Sequence, residues 1–71
     1  MIAPLLDALR KKYEGEIAVA KANINVYTTN PTGIGEHSNL VAAIDSEVDK
    51  LTCATDKLSI LKNNYSDLID G

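Results

Sequence analysis

The side chains of this chain that could do chemistry fall in a few short stretches. "GIGEHS", Gly33 to Ser38, sets two glycines and the only histidine beside an acid, Cys53 is the only thiol, and Arg10, Lys11 and Lys12 form the one basic cluster. A glycine loop ahead of a helix is the material of a phosphate cradle, and a His–Glu pair that of acid–base catalysis or metal ligation. None of these readings gathers the further residues it needs. A dinucleotide fingerprint requires a third glycine and a preceding strand, and both are missing from the pattern around "GIGEHS". Zinc takes three or four ligands, yet Cys53 lies about four helical turns, some 24 Å, beyond His37. Acid–base catalysis wants a pocket and a second positioned group. The plainer reading is that Glu36 complements a helix N-terminus while His37 bonds a neighbouring backbone group. Asp45, Glu47 and Asp49 spread around a helix without a calcium-loop pattern, so they are expected on a solvated face. Cys53 shares its side with Ser46, Asp49, Asp56 and Ile60 and is expected exposed or buried in a second contact rather than reactive. No catalytic residue, metal or cofactor is expected, and the chain is read as a non-enzyme.

Composition narrows the class further. Seventy-one residues make one domain at most, with 45% hydrophobic and 24% charged residues, a globular balance and not a disordered one. Phe and Trp are absent, so Ala, Leu, Ile and Val must build the core, a mix suited to helix packing rather than to an aromatic-walled ligand pocket. One cysteine cannot make an intrachain disulfide, and a reducing, cytoplasmic setting follows. "MIAPLLDALRKK" lacks the pattern of a secretory signal, and no run is long enough to span a membrane. A formal charge of −3 discourages general nucleic-acid binding.

The elements that must position these residues are two helices. Pro4 fits a first helical turn, and Leu6, Leu9, Tyr13, Ile17, Ala20, Ile24 and Tyr27 recur every three or four residues, predicting a helix over about 4–29. Asp7 to Lys11 and Lys12 to Glu16 are i,i+4 ion pairs on it. "NINVYTT", Asn23 to Thr29, also alternates like a strand, but the stripe continues in phase and no partner strand exists. A second helix, over about 38–65, starts at Ser38 as N-cap. Its Ile44, Leu51, Leu58 and Tyr65 repeat every seven residues, flanked by Leu40, Val41, Glu47, Val48, Ala54, Thr55 and Leu61, a seam broadened on both sides. It is expected to fray near Asn63 and Asn64, and "SDLIDG", the short tail over 66–71, to form either one more turn or a loose end. The two matched helices imply an all-α antiparallel hairpin as one domain, 1–71.

Between them, about 30–37, Asn30–Pro31 ends the first helix, Gly33 and Gly35 can take positive φ, and Ile34 is expected to plug the end of the helix pair, with His37 structural. "NPTGIGEHSNLVAAIDSEVDKL", followed by "ATDKLSILK", resembles a group of small helical proteins of T4-like cyanophages in which a loop close to N-P-x-G-I-G-E-H leads into a charged amphipathic helix. The resemblance covers Asn30 to Lys62, and Ser38 departs from a proline associated with that position. It implies a phage origin and a host-cytoplasmic setting, and carries no activity with it.

Helix one has a second row, Ala8, Gly15, Val19, Ala22 and Val26, that a lone hairpin cannot cover. Glycine within a helix costs about 1 kcal/mol relative to alanine, and close approach of a second backbone is a physical reason to keep Gly15. A homo-oligomer is expected, a dimeric four-helix bundle foremost, with Gly15, Val19, Ala22 and Val26 at the interface. The functional expectation is a phage accessory or adaptor acting through self-association and contact with a host or phage protein. The alternative is an RNA-binding bundle using the Arg10–Lys12 cluster.

Overall fold

A computed structural model describes residues 3–29 and 39–69. Among these residues there are helices and no strand: α1 (Pro4–Thr29), α2 (Leu40–Asn64) and a short α3 (Ser66–Ile69). The molecule is a rod with extents of 49 × 16 × 16 Å, in which α1 and α2 pack along their lengths. Asn30, Pro31, Gly33, Ile34, Gly35, His37 and Ser38 lie outside the described residues, and with them the loop and plug expectations.

Each boundary has a local cause. α1 runs through "NINVYTT" as helix, because the strand-like residues at its end close on themselves. The Thr28 hydroxyl donates to the Ile24 and Asn25 carbonyls at 2.9 and 3.1 Å, and Thr29 donates to Asn25 at 2.6 Å. Each hydroxyl thus finds its acceptor in the preceding turn, at carbonyls the helix already uses, and needs no strand partner. α2 is capped by Asn39, whose side-chain oxygen accepts the Ala42 N–H at 2.9 Å. Asparagine serves this role as well as serine does. α2 runs to Asn64, whose side-chain amide donates to Ile60 O.

The expected seam is corrected at Val41, Val48 and Thr55, each turned about 100° beyond a seam residue and exposed, and at Tyr65. Tyr65 is in phase with Leu58 and Leu61, but at φ −135° the chain leaves the helix there, and its side chain turns out to 43% exposure. Of the two forms open to the tail, residues 66–69 take the further turn. They form α3, whose Leu68 carbonyl accepts the Ala3 N–H at 2.8 Å, tying the tail to the start of α1. Ile69 is buried there to 1% exposure.

Between the long helices, Leu6, Leu9, Tyr13, Ile17, Ile24 and Tyr27 are half-buried and Ala20 is buried; opposite them Ile44, Leu51 and Leu58 are half-buried and Ala54 is buried. The centre of the rod is therefore joined by alanines, which let two helices approach closely but cover little area. Among the described residues the large buried apolar side chains, Leu61 and Ile69, belong to the end where α3 completes the packing.

Candidate functional site

An open groove of about 540 Å³ runs along one flank of the hairpin. α1 lines it from Lys12 to Asn23, through Gly15, Val19 and Ala20, and α2 lines it from Glu47 to Lys57, through Cys53 and Ala54. At 100° per residue, the exposed Leu5, Val19 and Val26 fall within about 60° of one another on the groove side of α1. Gly15 and the exposed Ala8 and Ala22 continue that row. A Cβ added at Gly15 would meet nothing within 4 Å, so no packing inside the chain accounts for a glycine there.

Glu47 is where the acidic-face expectation fails. Asp45 and Asp49 are exposed, but Glu47 is 6% exposed, at the bottom of the groove, with its Oε1 3.4 Å from Lys50 Nζ. The reason was available in the sequence, since Leu40, Ile44, Glu47, Leu51, Ala54, Leu58 and Leu61 follow an unbroken alternation of four and three. Glu47 is a core position occupied by an acid. A buried carboxylate with one solvent-reaching partner gains little from the pair relative to its desolvation. Glu47→Leu should therefore leave the melting temperature unchanged or raise it, by the equivalent of up to about 2 kcal/mol. A thermal melt that instead shows a loss above about 1 kcal/mol would mean that the hairpin itself depends on the carboxylate.

The basic cluster is dispersed and internally neutralised. Arg10 is half-buried at a seam-phase position, its Nη2 2.6 Å from Asp7 and its Nη1 3.9 Å from Glu14. Lys11 reaches Asp7 at 3.2 Å and Lys12 reaches Glu16 at 3.3 Å. The hydrogen bond from Arg10, then that from Lys11, holds the Asp7 carboxyl below its usual range. What resembled a patch in one dimension is a set of ion pairs around three sides of α1. Lys12 and Lys57 also approach the Tyr13 ring, at 5.5 and 5.7 Å from its centre, bracketing one end of the groove.

Cys53 is exposed and lines the groove, on the same flank as Gly15 and Val19. Among the described residues, no group of three or more His, Cys, Asp or Glu side chains is placed to hold a metal, and no helix is long and apolar enough to cross a membrane. No family model, curated protein or solved structure matches this chain.

Proposed function

We propose that this chain is an assembly protein, a helical hairpin that works by associating with a second copy and presenting the resulting bundle to another protein, with no reaction of its own. The observation that carries this reading is the apolar flank around Gly15, where the helix keeps a destabilising glycine beside open space. A glycine there permits the backbone of a neighbouring helix to approach. Leu5, Val19 and Val26 on the same flank are the side chains such a neighbour would cover. The paired state of Arg10, Lys11 and Lys12 supports protein contact over RNA contact, because each cation already faces an acid of its own helix. The loop resemblance supports a phage accessory or adaptor acting in the host cytoplasm.

Sedimentation equilibrium tests the reading. At micromolar concentration the mass should be at least twice 7.6 kDa, with a melting temperature that rises with concentration. A folded monomer with a concentration-independent melt would sink it.

A further inference from the structure

The flank that carries the groove has one occupant that fits the rod's extended surface and the charges along α2 together. We infer that a second copy packs antiparallel across it, about a two-fold axis that passes close to Cys53 of α2 and Ile17 of α1. The inference rests on the self-association proposed above and specifies its register.

Area comes first. The chain exposes 4951 Å², whereas a compact monomer of 7.6 kDa exposes about 4,300 Å². The excess belongs to the rod shape, 49 × 16 × 16 Å, and packing a second rod along its length is the direct way to reduce it.

Charge then selects the direction. Along α2, Lys50 and Asp56 lie three residues either side of Cys53, and Asp49 and Lys57 lie four residues either side. An antiparallel α2 pair centred on Cys53 sets each Lys50 level with Asp56 of the second copy, and each Lys57 level with Asp49 of the second copy. Both pairs are within reach of a lysine side chain at ordinary helix spacing of 8–10 Å. The groove spans Lys12–Asn23 of α1 and Glu47–Lys57 of α2, and Ile17 and Cys53 both lie close to the middle of those spans. The same axis therefore passes α1 near Ile17, where Gly15 and Val19 lie two residues either side. Each valine then faces the glycine of the other copy, a projection opposite a gap. The opposite stacking, with the loops of both copies at one end, sets α1 against α2 and brings Lys12 level with Lys57, two cations face to face.

Cys53 supplies the measurement. Two antiparallel helices crossing near it hold the two Cα atoms at roughly 5–6 Å, a disulfide distance, whereas the opposite stacking leaves the two α2 helices diagonal and out of range. Diamide, which takes up the two thiol hydrogens, should convert the dimer to a covalent one through Cys53, with Cys53→Ser as control. In parallel, K57E should weaken dimerisation about tenfold, and D49K added to K57E should restore it to within about threefold. Positions 49 and 57 are two turns apart in one helix, so rescue must act between copies. The circular dichroism of each variant reports whether the hairpin itself still folds. A dimer by sedimentation that fails to cross-link, or a double variant weaker than K57E alone, overturns the register while leaving self-association standing. A monomer at every concentration overturns both.

Discussion

Ile69→Ala should lower the melting temperature of this protein by about 10 °C or more. The substitution sits in the last described turn, on a helix of four residues that the sequence leaves open between a further turn and a loose end. Two facts make it severe. Ile69 is 1% exposed and is the largest fully buried side chain of the described residues, and the other enclosed apolar positions are Ala20, Ala54 and Leu61. Removing an enclosed isoleucine to alanine costs about 2–5 kcal/mol, of which part is the cavity left behind. In a domain of this size each kcal/mol moves the midpoint by about 4–8 °C. Ser66→Ala and Asp67→Ala, on the exposed side of the same turn, should each shift the midpoint by less than about 4 °C, the equivalent of 0.5 kcal/mol. A calorimetric midpoint for Ile69→Ala within about 3 °C of the parent would show that α3 lies on the hairpin without holding it.

What was legible in the sequence was whatever repeats. The three- and four-residue spacing from Leu6 to Tyr27 is long enough to survive the strand-like composition of "NINVYTT", and helix is what those residues form. Two things were hidden by reading residue type ahead of position. Glu47 and Arg10 hold places in the apolar rhythm, and a charged residue at such a place turns inward when a partner such as Lys50 or Asp7 stands three residues away. Ile69 could not be placed by period, because the rhythm stops at Tyr65 and a single turn carries too few residues to declare a face. The groove was half legible. The row of Gly15, Val19, Ala22 and Val26 can be read from α1 alone, but Cys53 and Lys57 join it only when the register between helices is known.

Val19→Asp should raise the dissociation constant of the dimer at least about 100-fold and lower helicity at micromolar concentration. In the isolated hairpin the change is mild, since Val19 is 61% exposed and an aspartate there meets water. Valine and aspartate also differ little in helix propensity. Any large effect must therefore come from contact with something outside the chain. In a two-fold dimer the substitution enters twice, and each carboxylate faces the bare helix at Gly15, where the nearest cation, Lys12, is already paired with Glu16. About 1.5 kcal/mol of desolvation per aspartate, at the low end for an unpaired polar group, already amounts to about a hundredfold loss. Helicity should fall with it, because the middle of the rod is joined by Ala20 and Ala54 and has little enclosed area of its own. Val41→Asp separates this cause from a general effect of removing exposed apolar surface. Val41 is 79% exposed but projects from the far flank of α2, away from Lys50, Cys53 and Lys57, so its substitution should leave the dissociation constant within about twofold of the parent. Equal losses from the two variants, measured by sedimentation over a concentration series, would mean that the groove is not where the copies meet. A loss confined to Val19 would make the exposed glycine intelligible, as the position at which the hairpin leaves room for the valine of its second copy.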